Sequence, residues 1–486
     1  MKKLIKSILV LAGIVVFLYA CEDYEKLTEP IDTGSANFSK FVVIGNSLTA
    51  GYQSASLYKS SQEYSYGKLI ANAVGITSFE QPLVSDPGTG GRLEVESLEP
   101  FTLYTDPNVG IPLNYSYPAP YNNLGVPGAF LYDVLNATNA NDCFTAIFAG
   151  IPNPMFDLVL RNNFLQDTIG FSGTQFAQAA SLKPTMLTLW IGNNDVLGFA
   201  TSGGASPTEP TDVGTFTFLY NATGDALTSL GTDVVVANIP DVSAIPFFTT
   251  VGPQMAFNVP WSQLAQLGVP GLFYQEHGNS GPALTTFADS LTLLTGGVLI
   301  TLKGSSYAGL IGTPSGKFYR DFGFPGLPPG IDTTQAFGVH PQNPWPDALV
   351  LDPGEITTAE NTIAAYNSAI ASVATSHGFG LVDVNSFFNQ IRANDFTGGT
   401  VFNGITFTTF YVSGGLFGLD GVHPTSQGYA IIANEFIKIF NSKFNANIPL
   451  VDVSTIPGSL VLTAKLRFDE HGYTIFAKNA FDHLLF

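Results

Sequence analysis

Basic side chains are scarce in this 486-residue chain: 19 Lys and Arg stand against 38 Asp and Glu, for a formal charge of −19. A surface so short of cations does not neutralise a phosphate backbone, which excludes nucleic acid as a partner. Charge of either sign is sparse too, at 12% of residues, against roughly 25% in soluble domains. Cysteine is nearly missing, with 2 residues, so a disulfide framework is excluded. There is no Walker A sequence, no G-x-G-x-x-G, no H-E-x-x-H and no G-x-S-x-G elbow, which removes the common nucleotide, zinc-protease and α/β-hydrolase templates. No fixed-period repeat points to a solenoid or propeller. What is abundant is apolar: 45% hydrophobic residues, with 39 Phe, 50 Gly and 31 Pro. That excludes intrinsic disorder, and the length allows two or three domains or one with long insertions.

The first 20 residues form no part of the predicted fold. Lys2, Lys3 and Lys6 precede an apolar run over 7–20. The run falls short of the about 20 residues a spanning helix needs but suits a secretory signal. It ends in Leu18-Tyr19-Ala20-Cys21, which resembles a bacterial lipobox. That resemblance implies cleavage after residue 20, acylation of Cys21 and a membrane-anchored place in the cell envelope. The acidic pair Glu22-Asp23 resembles the surface-export signals of Bacteroidetes lipoproteins. Removing the signal deepens the charge to −22 and leaves Cys143 alone. Residues 21–39 then read as a tether.

Short apolar, β-branched runs at 41–44, 186–191, 234–239 and 381–384 read as buried strands. Helical spacing predicts helices over 355–376 and 426–444. Strands alternating with helices predict an α/β fold with a parallel sheet covered on both faces. Three stretches rich in Gly, Pro, Phe and Tyr (about 77–119, 136–171 and 247–353) fit no strand–helix unit and read as insertions on one core. Residues 446–486 form a C-terminal extension, with a hairpin or tail over its last part.

Three segments offer chemistry. Ser47 follows the first strand in Gly45-Asn46-Ser47-Leu48. A serine there is either a nucleophile beside helix N–H groups or the N-cap of the first helix. Gly192-Asn193-Asn194-Asp195 follows another strand; its amides either stabilise an oxyanion or shape a turn. In Asp420-Gly421-Val422-His423-Pro424 the carboxylate is close enough along the chain to orient the imidazole of a base. His340 and His377 lack zinc-ligand spacing and read as structural. Gly88-Thr-Gly-Gly91 reads as a flexible loop, and Asp352 and Glu355 as charge complements at a helix start.

These segments, with Asn123-Leu-Gly-Val-Pro-Gly128, occur in the order of blocks I, II, III and V of the SGNH (GDSL-type) hydrolases, which the chain resembles from about residue 41 to 444. The resemblance implies a flavodoxin-like, three-layer α/β/α fold with a mainly parallel five-stranded sheet over 40–445. It implies Ser47 as nucleophile, His423 as base and Asp420 as its orienting acid. The oxyanion hole would be the Ser47 N–H, the Gly128 N–H (preferred to Gly125) and the Asn194 amide (preferred to Asn193). Asn46 departs from the aspartate usual before that serine. No cofactor or metal is implied. The reaction implied is serine-esterase or lipase-type hydrolysis of acyl or lipid esters. Carbohydrate acetyl esters are the alternative substrate, and a non-catalytic lipoprotein binding glycan or lipid is the competing class.

Overall fold

A computed structural model describes residues 31–98, 101–204, 209–276 and 285–458. The signal, Cys21, the Glu22-Asp23 pair and the terminal part of the C-terminal extension lie outside the described residues. Five parallel strands form the central sheet: β1 (Phe41–Gly45), β2 (Asn123–Gly125), β3 (Met186–Trp190), β4 (Asp233–Ala237) and β5 (Gly380–Val382). Their order across the sheet is β5-β4-β3-β1-β2, the 2-1-3-4-5 order of flavodoxin-like folds. β1 and β3 are buried along their whole length, which is why they are continuous apolar runs rather than alternating ones. β2 is a strand of three residues, too short to be heard as a period.

The helices that carry the argument are α1 (Ser47–Ala50), α2 (Tyr66–Ala73), α3 (Gln175–Ser181), α4 (Asn194–Thr201), α5 (Val213–Ser229), α6 (Pro353–Ser376) and α7 (Ser426–Phe444). α2 and α7 pack together over the sheet, and α5 packs with α6 to make the other layer. Buried Tyr66 stacks on Phe436 of α7 with ring centroids 4.7 Å apart. Its hydroxyl meets Thr49 and Thr188, both at 3.2 Å, so the polar atoms beneath α1 are paired. From α3, the Gln175 amide donates to the carbonyls of Gly45 (2.8 Å) and Leu124 (2.6 Å), tying the ends of β1 and β2.

The stretch predicted as a tether is docked from residue 31 onward. Asp32 bridges Asn447, the Ser35 N–H donates to the Phe444 carbonyl at 2.9 Å, and Phe38 packs edge-on against Phe440. Burying an aromatic ring there gives this part of the chain a reason to be ordered. The insertions have local structure of their own: a hairpin of Leu93–Leu98 with Phe101–Thr105, short helices over 144–169, and two-stranded pairs in 272–351. Arg161 joins the first two insertions. Its guanidinium donates to the carbonyls of Tyr115 (2.6 Å), Tyr117 (2.8 Å) and Ala119 (2.7 Å) and lies 3.7 Å from the Tyr121 ring centroid.

After α7 the chain turns back along it. Asn441 exchanges two hydrogen bonds with Ile448 (2.9 and 2.8 Å), and Asn434 two with Val451 (2.9 and 2.7 Å). Gln427 donates to Val453 and Ile456. These amides recur every seven residues on one face, where they satisfy the returning backbone as a neighbouring strand would.

Asp352 and Glu355 at the start of α6 are a capping box: the Glu355 N–H donates to Asp352 Oδ1 (2.8 Å), and the Asp352 N–H to Glu355 Oε2 (2.7 Å). Burial, with Asp352 and Asp347 adding repulsion, pushes the Glu355 pKa up to about 9. The folded chain therefore keeps a proton that the unfolded chain loses in the ordinary carboxylate range, and stability falls as pH rises through that window. Glu355→Gln keeps position 355 neutral at every pH and still offers an oxygen to the Asp352 N–H. Its thermal midpoint is expected to decline less than that of the unsubstituted protein between mildly acidic conditions and about pH 9.

Candidate active site

β1 ends at Gly45, and the chain turns straight into α1. The N-cap is Asn46, whose Oδ1 accepts from the Leu48 N–H at 3.1 Å. The capping role open to Ser47 is thus filled by its neighbour, and Ser47 is the first residue of the helix. Its Oγ lies 2.9 Å from His423 Nε2. His423 Nδ1 lies 3.0 Å from Asp420 Oδ2. Three residue types that the sequence separates by up to 376 positions form one chain of hydrogen bonds at the carboxyl ends of the strands, where open α/β sheets bind ligands.

The carboxylate is fully buried and accepts four hydrogen bonds. Oδ1 takes the N–H groups of Val422 (2.9 Å) and His423 (2.8 Å), while Oδ2 takes the Ala55 N–H (2.8 Å) as well as His423 Nδ1. Burial raises the Asp420 pKa, but His423 and these N–H groups outweigh it and hold the carboxyl below its ordinary range. Ala55 donates from a turn in which Ser54 and Ala55 have φ of 52° and 63°, a conformation unfavourable for both side chains. The turn is fixed by Ser54 Oγ, which accepts from the Leu419 N–H at 3.1 Å, and by Tyr52 OH, which donates to the Ala55 carbonyl at 2.6 Å. The Tyr52 ring lies 4.7 Å from the His423 ring. Nothing in the sequence pattern flags Tyr52 or Ala55, since one acts by its ring and the other by its backbone.

The loop after β2 distinguishes the two candidate glycines. The Gly125 N–H donates to Asn123 Oδ1 at 2.9 Å, and a Cβ at Gly125 would lie 2.4 Å from the Ala50 nitrogen. Gly125 therefore permits the close approach of β2 and α1. Gly128, at φ +80°, has an N–H with no acceptor among the described residues, as does Ser47. Asn194 begins α4 half-buried and donates one amide hydrogen to the Ala129 carbonyl at 2.8 Å. Asp195 binds the same loop through the Leu131 N–H (2.9 Å) and takes Thr211 Oγ1 at 2.9 Å. Burial lifts Asp195 to about 7 against those bonds.

Ser47 and His423 open into a cleft walled by Trp190, Leu197, Val242, Ile245, Phe388 and Phe417. Such a lining suits an apolar ligand. The hydroxyl is placed to lose its proton to the imidazole as its oxygen attacks. Among the described residues no group of three His, Cys, Asp or Glu is placed to hold a metal ion. His377 pairs with Asp225 and Thr228 at the end of α6, and the His340 ring accepts from the Gln342 N–H.

No protein-family model matches the chain, and no curated protein matches it. Among solved structures the chain is similar to LAE5, an α/β hydrolase enzyme from the metagenome of Lake Arreo, Spain. The match covers 84% of this chain and 96% of that one, at 12% identity and a TM-score of 0.30. At those values the likeness adds nothing to the sheet order and the site geometry.

Proposed function

We propose that the chain is a serine ester hydrolase of the SGNH type, acting on esters of apolar acids and held at the cell envelope by an acyl group on Cys21. The observation that carries this reading is the unbroken chain of hydrogen bonds from Ser47 through His423 to Asp420. Ser47 Oγ attacks the ester carbonyl while His423 Nε2 takes its proton. The oxyanion is met by the N–H groups of Ser47 and Gly128 and the remaining amide hydrogen of Asn194. Collapse breaks the bond to the alcohol oxygen, which leaves with the proton from His423. Water, deprotonated by the same imidazole, then releases the acid and restores the serine.

The apolar cleft favours an acyl chain over acetyl. A fluorophosphonate probe tests the reaction class: the protein is expected to label, and Ser47→Ala to abolish labelling. An unlabelled protein, under conditions that label a known serine esterase, would sink the reading. Nitrophenyl esters of increasing chain length test the substrate. Rates should rise beyond acetyl, and a sharp acetyl preference would favour the carbohydrate-acetylesterase alternative.

A further inference from the structure

The polar groups lining the cleft are few. Asp241 Oδ1 accepts from the N–H and hydroxyl of Ser243 at 2.8 and 2.6 Å, and Thr409 is bonded to Asp395. Asn193, buried to 6% exposure, lines the same cleft beside Ser47.

The direction of its amide follows from donors and acceptors alone. The Leu48 N–H can only donate, so the Asn46 atom facing it is oxygen. The Asn46 atom facing Asn193 is therefore nitrogen, and it meets Asn193 Oδ1 at 3.1 Å. That leaves Asn193 Nδ2, which donates to no described residue. A carboxylate at position 46 would accept at both places and turn the Asn193 amide around, presenting its oxygen to the cleft instead.

We propose that Asn193 Nδ2 is a substrate-contacting donor, directed at a neutral oxygen acceptor of the bound ester, and that Asn46 is the positioning residue that sets its polarity. This rests on the ester-hydrolase reading. It makes residue 46 a determinant of specificity without touching the substrate.

The test uses the full chain and a nitrophenyl ester of an unbranched acid, with thermal midpoints to confirm folding. Asn193→Asp is the decisive variant, because it keeps an acceptor for Asn46 but has no hydrogen to give the substrate. Asn193→Ala is expected to lose about five- to tenfold in kcat/KM, the scale of one neutral hydrogen bond, and Asn193→Asp, which also places a buried charge beside Ser47, at least as much. The loss should lie mainly in KM, with Ser47 still labelled by fluorophosphonate. Asn46→Asp should fall at least as far, and Asn46→Asp/Asn193→Ala no further than the larger single variant, since both remove one donor. An Asn193→Asp protein with unchanged kcat/KM would show that Asn193 only holds Asn46, and losses that multiply would show that the two act separately. Either result overturns the proposal while leaving the ester-hydrolase reading intact; an unlabelled parent protein removes both.

Discussion

Asp420→Asn is expected to lower turnover about 10,000-fold, the effect of forcing the wrong histidine tautomer in a serine–histidine–acid triad. The geometry leaves the amide no comfortable orientation. All four groups around the carboxylate donate: Val422 N–H and His423 N–H on one oxygen, Ala55 N–H and His423 Nδ1 on the other. An NH₂ placed on the Oδ1 side opposes two backbone N–H groups that cannot reverse. Placed on the Oδ2 side, it faces Ala55 and donates to His423 Nδ1, so the ring's proton moves to Nε2. An imidazole protonated at Nε2 donates to Ser47 Oγ and cannot take its proton. Burst kinetics on a nitrophenyl ester will separate the slow acylation expected here from slow deacylation. The rate of fluorophosphonate labelling should fall in parallel, whereas a merely unfolded protein would lose its thermal transition as well.

Arg161→Met is expected to cost about 3 kcal/mol of stability, read from denaturant melts. Arg161 is 1% exposed, no described carboxylate pairs with its guanidinium, and that group serves three carbonyls of the 115–119 segment. Hydrogen bonds from charged donors are worth about 1.5–3 kcal/mol each, and removing the cation recovers part of its desolvation cost. The remainder is the expected loss. Arg161→Lys should recover only part of it, because an ammonium cannot span three carbonyls with a planar fork while lying on Tyr121. Activity per folded molecule should change little, since Arg161 touches no residue of the triad.

The proposed triad was legible because each member sits in a short segment whose local order carries its meaning: a strand end before Ser47, and a three-residue spacing between Asp420 and His423. Four of the five strands were legible for a similar reason, since burial makes each a short, mainly apolar run. The rest was hidden by physics that composition does not record. In the sequence Asn46 is only a departure from aspartate, yet its consequence lies in which atom faces Asn193, a long-range matter of donor and acceptor. Gln175, Arg161 and the Gln427–Asn434–Asn441 row all act on backbone carbonyls or N–H groups, and a backbone partner leaves no trace in residue type. The docked segment after residue 31 looked like a tether because its small polar residues mask the single anchoring ring of Phe38.

The bond between Ser47 and His423 spans 376 positions, and this has a kinetic meaning. Contacts of such separation close late, after the intervening chain has paired its strands. In the proposed mechanism, a nascent chain that has emerged only through α6 carries the serine, the Gly128 loop and Asn194, but no base. Competence to react thus arrives with the last helix, and the reactive serine becomes a reporter of complete folding rather than of any one part of the protein.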